Sequence, residues 1–249
     1  MQSMIEKFQE PKDRLIFSLD VPSTSWAIDE KLDPVSGQTK WVKINSIFFG
    51  PGRDYALEKI IRAGSLAMVD IKAHDIPTST ARNIIEAWRM GAAMVTIHAS
   101  VTREAMQAVM YGVEKEAGEG RPIILAITVL TSIDKETMNN DLKVPGEPLD
   151  QVLHLASLAQ NAGVDGVVCS PQETEHVRRV CGEDFLIVNP GIRFSGEQER
   201  DQARVGTPRG TIAKGATALV MGSDLLKDPI KNVPRAIEEI KLGLLDRKI

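Results

Sequence analysis

The sequence predicts an α/β fold, a single (β/α)8 TIM barrel over residues 1–249 with residues 1–13 as an N-terminal extension, and three observations carry that prediction. Eight short runs rich in Val, Ile and Leu recur along the chain, each bounded by polar or glycine-containing loops and followed by a segment of helical period. The runs are nearly continuous in apolar residues instead of alternating, which is the pattern of strands covered on both faces in a parallel sheet. The chain has 249 residues, close to the ~250 typical of this barrel and enough for one large core. An open doubly wound sheet is the alternative arrangement of the same elements.

In order, the predicted strands are residues 14–20 (RLIFSLD), 41–45 (WVKIN), 67–72 (AMVDIK), 93–98 (AMVTIH), 122–128 (PIILAIT), 165–170 (DGVVCS), 185–189 (FLIVN) and 217–222 (TALVMG). Amphipathic helices are predicted over 54–63, 80–90, 102–117, 149–162 and 234–245. Gly64, Gly91, Gly118, Gly163 and Gly215 stand where helix C-caps are needed.

Composition narrows the function. Acidic and basic residues number 34 and 30, for a net charge of -4, and no basic stripe suited to nucleic acid is present. Cys169 and Cys181 are the two cysteines and both fall in apolar segments, so neither a disulfide framework nor a thiolate metal site is expected. The N-terminus MQSMIEKFQEPKDR lacks an apolar targeting core, and no run approaches the ~18 apolar residues of a membrane span. A cytoplasmic protein without a membrane partner is expected.

Polar residues concentrate at the ends of the apolar runs: Asp20, Lys43, Asp70 with Lys72, His98, Thr128, Ser170 and Asn189. Barrel enzymes build their sites at the C-terminal rim of the strands. The third run is the most informative, because Asp70 and Lys72 are two apart and therefore share a face, leaving Val69 and Ile71 on the other. Asp75 follows in the loop, and Ile76-Pro77 ends the strand and sets up a helix with Thr78, Ser79 and Thr80 near its first turn. Lys43, flanked by Val42 and Ile44, projects into the same mouth. A purely stabilising ion-pair network is the competing reading, but buried charge networks seldom recover their desolvation cost through stability. A lysine between carboxylates keeps its ammonium and can donate a proton, while an aspartate beside a bound anion suffers like-charge repulsion. That chemistry suits loss of a carboxylate followed by protonation of a carbanion.

These residues carry a resemblance to a known family. VDIKAHDIP, with LDVPS, VKI, MVTIHAS, LAITVLTS, DGVVCSPQE, NPGIR and DQARVGTP, resembles the orotidine 5'-phosphate decarboxylase family over almost the whole chain. The resemblance implies a homodimeric barrel that converts orotidine 5'-phosphate to UMP in pyrimidine biosynthesis with no metal or organic cofactor. It implies that Lys72 protonates the carbon left by CO₂ and that Asp70 lies against the substrate carboxylate. Lys43 and Asp75 complete the array, with Asp75 reaching in from the other subunit. Asp20 would bind the ribose, Thr131 and Ser132 the pyrimidine, and Arg193 and Gln202 the phosphate with backbone N–H groups near Gly222. Ile76, Ser79 and Pro190 are further substrate-binding positions by the same resemblance. One position departs from the pattern: Ser223 stands where the family usually has a phosphate-gripping arginine, and a hydroxyl cannot supply a bidentate charged contact. Asp224 follows it, and Lys227 is the candidate to reach the phosphate in the arginine's place.

Of the remaining residues, His98 is expected as a hydrogen-bonded rim histidine and His74 as a supporting one, with His154 and His176 on helix surfaces. Trp41, Phe48 and Phe49 are expected in the core or at a dimer contact. Residues 145–148 and 194–200 have the length and position for a lid. Two alternatives stand beside the decarboxylase: a Mg²⁺-dependent sugar-phosphate enzyme of the same superfamily, and a barrel that binds a phosphate ligand without catalysis.

Overall fold

The computed structural model describes residues 4–196 and 205–247. Eight parallel strands close on themselves in chain order: β1 Leu15–Ser18, β2 Trp41–Ile44, β3 Leu66–Ala73, β4 Ala92–His98, β5 Ile123–Ile127, β6 Gly166–Val168, β7 Leu186–Asn189 and β8 Ala218–Met221. Pairing of Ile16 with Val220 and Phe17 with Met221 joins β1 to β8. That closure excludes the open sheet, because neither β1 nor β8 keeps a free edge.

The helices that follow these strands are α1 Ser25–Leu32, α2 Arg53–Arg62, α3 Pro77–Arg89, α4 Arg103–Ala117, α5 Pro148–Asn161, α6 Thr174–Cys181, α7 Pro208–Ala213 and α8 Pro229–Asp246. Local chemistry explains their ends. Pro77, Pro148, Pro208 and Pro229 occupy first-turn positions, where a missing N–H costs nothing. The Thr102, Thr207 and Asp228 side chains accept N–H bonds as N-caps. The five glycines expected as C-caps all have positive φ, between 54° and 104°. The last helix differs from expectation: it begins at Pro229 and carries Pro234 inside it, six residues past the Asp228 cap, instead of starting at Pro234.

Two apolar layers follow from the two faces of each strand. Leu15, Phe17, Val42, Ile44, Val69, Val95 and Ile97 point outward and pack under the helices. Ile16, Trp41, Met68, Met94, Leu125, Leu186 and Val220 fill the lumen. The N-terminal extension belongs to this inner layer, since Phe8 is fully buried and stacks on Trp41 with ring centroids 5.5 Å apart. At the N-terminal side of the strands, Arg121 grips Asp165 through two hydrogen bonds of 2.7 and 2.8 Å, and Asp165 also accepts the Ile124 N–H. Among the described residues no helix is long and apolar enough to cross a membrane.

Candidate active site

The polar rim is generated by the strand period. Two residues beyond the lumen-filling Ile16, Trp41, Met68 and Met94 come Ser18, Lys43, Asp70 and Thr96, so one level of the lumen turns from apolar to polar on β1 to β4. On the opposite wall, Ile127, Val168 and Val220 stay apolar. A cavity of about 480 Å³ opens at this level, lined by the charged groups of β1 to β3, by these apolar side chains, and by Thr131, Arg193 and Ser223 from the loops above. Its volume falls in the range of small-ligand sites.

The expected charge cluster forms. The Lys72 Nζ lies 2.7 Å from Asp70 Oδ2, and Lys43 Nζ lies 3.6 Å from the same oxygen and 3.3 Å from Asp20 Oδ1. Ser18 donates to Asp20 Oδ2 at 2.6 Å, and Thr96 donates to Asp70 Oδ1 at 2.8 Å. Lys43 and Asp70 are buried, 7 and 8% exposed, whereas Lys72 reaches further toward the opening. Burial pushes the Asp70 carboxyl up, but Lys43 and Lys72 outweigh it together with the hydrogen bonds from Lys72 and Thr96, so it is held below the ordinary carboxylate range.

Lys72 reaches this position by a route that simple alternation does not describe. Its φ is +49°, the left-handed region, which costs a residue with a Cβ about 1–2 kcal/mol. The β3–β4 register passes from Val69↔Val95 directly to Ala73↔Ile97, so three residues of β3 face Thr96 alone. This is a bulge, and bulges re-aim side chains beside functional sites. Val69 and Ile71 do take the outer face, as the spacing predicts.

Of the other expected site residues, Asp20, Thr131, Pro190, Arg193, Gly222 and Ser223 line the cavity with the cluster. Asp75, Ile76, Ser79 and Ser132 do not line it. Asp75 is exposed, its carboxylate accepting the Ile76 N–H at 2.7 Å, and Ile76 is 64% exposed beside it. Gln202 and residues 197–200 of the expected lid lie outside the described residues. Ser18, Asn45 and Thr96 were not singled out by sequence reasoning. Ser18 and Asn45 line the cavity and Thr96 supports Asp70. The two-residue offset from lumen-filling neighbours is the signal that could have found Ser18 and Thr96.

Gly222 leaves room for its neighbours: a Cβ there would crowd Ser18 Cβ at 3.2 Å and Asp20 Oδ2 at 3.3 Å, and both would have to shift. Ser223 opens a short helix, Ser223–Lys227. Asp224 does not oppose a ligand in the cavity. It is 3% exposed, accepts the Phe194 N–H at 3.1 Å and pairs with Lys227 at 3.2 Å. Lys227 is therefore engaged by Asp224 and is not among the lining residues, whereas Arg193, next to the anchored Phe194, is. Phe194 is further held under the Arg235 guanidinium, 3.8 Å from its ring centroid. His98 contacts the His74 ring at 5.3 Å, and burial, aided by His74 and Lys72, lowers its pKa. Trp41 is core, but Phe49 is 71% exposed.

Comparison with known proteins agrees with this geometry. The family model described as "Orotidine 5'-phosphate decarboxylase / HUMPS family" matches residues 13–240. Orotidine 5'-phosphate decarboxylases of Pelobacter propionicus and Heliobacterium modesticaldum are each 37% identical, covering 94 and 96% of this chain and 98 and 100% of theirs. The crystal structure of orotidine 5'-phosphate decarboxylase from Lactobacillus acidophilus superposes with a TM-score of 0.77 at 29% identity, covering 91% of this chain and 98% of that one. With its closed barrel, its lysine and aspartate array and these relatives along nearly its full length, the chain belongs to the orotidine 5'-phosphate decarboxylase / HUMPS family.

Proposed function

We propose that this protein decarboxylates orotidine 5'-phosphate to UMP in pyrimidine biosynthesis, without a metal or organic cofactor. The single observation that carries the reading is the convergence of Lys43, Asp70 and Lys72 within 3.6 Å in a 480 Å³ cavity that also presents the apolar Ile127, Val168 and Val220. A planar pyrimidine packs on Ile127 and Val168 while its carboxylate meets the charged wall. Asp70 repels that carboxylate, and the positive charges of Lys43 and Lys72 stabilise negative charge building on the adjacent ring carbon. The bond from C6 to the carboxyl carbon breaks, its electron pair stays on C6, and CO₂ leaves. Lys72 delivers an Nζ proton to C6 to give UMP, and water then reprotonates its amine.

Asp20 and Lys43 hold the ribose hydroxyls, Thr131 and Ser132 the pyrimidine, and Arg193 and Gln202 the phosphate with Pro190, Gly222 and Ser223 nearby. The protein acts in the cytoplasm as a homodimer. Exposure of Asp75 and Ile76 at the end of β3 favours their role across the subunit contact, where Asp75 joins the partner's array and Ile76 and Ser79 border it. Purified protein should consume orotidine 5'-phosphate in the presence of EDTA, read as loss of substrate absorbance with UMP as product. No loss at high enzyme concentration would refute the reading, and activity restored by Mg²⁺ on a sugar phosphate would replace it with the metal-dependent branch.

A further inference from the structure

We infer that Thr96 is a positioning residue for this reaction, its one hydroxyl fixing the Asp70 carboxylate and the Lys72 backbone relative to each other; the inference rests on the proposed decarboxylation. The case begins with the bulge. Between the pairs Val69↔Val95 and Ala73↔Ile97, Asp70, Ile71 and Lys72 all stand against one residue of β4, which is Thr96. The regular ladder is broken there, and a buried N–H left without an acceptor is costly. The Lys72 N–H finds its acceptor in a side chain: Thr96 Oγ1, at 3.0 Å.

A threonine hydroxyl has one proton to donate and lone pairs to accept. Here it accepts from Lys72 and donates to Asp70 Oδ1 at 2.8 Å. Thr96 is fully buried, and its bond to Asp70 is buried with it, so water does not compete for the carboxylate there. The other carboxylate oxygen, Oδ2, is thereby turned to the ammonium groups of Lys72 and Lys43. The left-handed φ of +49° at Lys72 is held on one side by this hydrogen bond. Valine has the same shape as threonine and offers neither bond. It would leave the N–H unpaired and the carboxylate free to turn.

The test compares Thr96→Val with Thr96→Ser in otherwise intact protein, reading kcat, KM, the pH profile and amide exchange. Thr96→Val should lower kcat on the order of 100-fold, since small misplacements of reacting groups cost about that much, with KM changed by less than about threefold. Its acidic limb of kcat/KM should move to higher pH, because a donor to the Asp70 carboxylate is gone. Thr96→Ser should return kcat to within about threefold of wild type, because it keeps the hydroxyl. Wild-type kcat and an unmoved acidic limb in Thr96→Val would overturn the inference, as would a Thr96→Ser enzyme as impaired as the valine variant. Should Thr96→Val not fold, Thr96→Cys, with its weak donor and acceptor, should give an intermediate kcat, and wild-type turnover there would overturn the proposal. Hydrogen exchange separates this failure from failure of the decarboxylase reading. The Lys72 amide should exchange at least about tenfold faster in Thr96→Val or Thr96→Cys than in wild type, with Val69 unchanged. Unaltered exchange at Lys72 would refute the positioning role even in a protein inert toward orotidine 5'-phosphate.

Discussion

Replacing Lys72 by glycine should leave a more stable protein than replacing it by alanine, the reverse of what an ordinary strand position gives. Both variants remove the ammonium, so both should lose turnover, and the stability difference reports the backbone alone. In an extended strand, glycine is worse than alanine by about 0.5–1 kcal/mol because the unfolded chain gains freedom. At φ +49° alanine carries a left-handed penalty of about 1–2 kcal/mol that glycine escapes. The net preference for glycine at position 72 is therefore about 0–1.5 kcal/mol, centred on roughly 0.75 kcal/mol. Ile71 is the internal control, since it neighbours Lys72 on β3 and is not among the non-glycine residues with positive φ. The difference between the two Gly/Ala comparisons isolates the backbone penalty, about 1–2 kcal/mol. At about 2–4 °C per kcal/mol for a chain of 150–250 residues, it corresponds to roughly 2–8 °C in Tm. Urea and thermal unfolding of the four variants at one protein concentration would supply the measurement. If Lys72→Ala exceeded Lys72→Gly by the margin seen at Ile71, the strained bulge would not exist in solution.

Three further outcomes follow from the same geometry. Asp70 titrates below the ordinary carboxylate value because its lysine partners and hydrogen bonds outweigh burial; its contribution to stability is thus full above about pH 4 and lost as pH falls through the folded-state value. Urea midpoints below about pH 4 should accordingly fall more steeply in wild type than in Asp70→Asn, and parallel curves would contradict the coupling. Ser223→Arg should tighten UMP binding by about 10- to 150-fold, as a charged hydrogen bond is worth about 1.5–3 kcal/mol; unchanged affinity by calorimetry would mean that Arg193 or a backbone donor already fills the role. Asp165→Ala should cost about 3 kcal/mol, the low end for a broken buried pair, because buried Arg121 loses its bidentate partner and keeps only Glu114 at 4.0 Å and the Pro122 carbonyl, while kcat of the folded fraction stays at wild type, because this pair lies at the opposite end of the strands from the cavity. A parallel loss of kcat would tie that end to catalysis.

The eight strands were legible because each is a nearly unbroken apolar run, and only burial on both faces selects such a run. That Asp70 and Lys72 belong to one cluster was legible from their spacing, although the bulge and not plain alternation brings the Lys72 ammonium onto Asp70; Lys43 was legible from its place between Val42 and Ile44. Ser18 and Thr96 escaped notice because a single hydroxyl in an apolar strand has no composition signal. Their importance depends on which strand lies alongside. The start of the last helix was misplaced because Pro234 reads as an N-terminal signal, although Asp228 and Pro229 already supply one more than a turn earlier.

Local sequence determined the elements, the inward face of each strand and the residue types at the rim, because these depend on periods of two and 3.6 residues and on turn chemistry within a few positions. Tertiary structure alone decided that Asp224 would be turned away from the cavity to hold the Phe194 N–H and that a three-to-one bulge would tie Lys72 to Thr96. Each of these joins residues on different strands or loops. Barrel closure and strand register, which no local window of sequence encodes, fix which groups become neighbours.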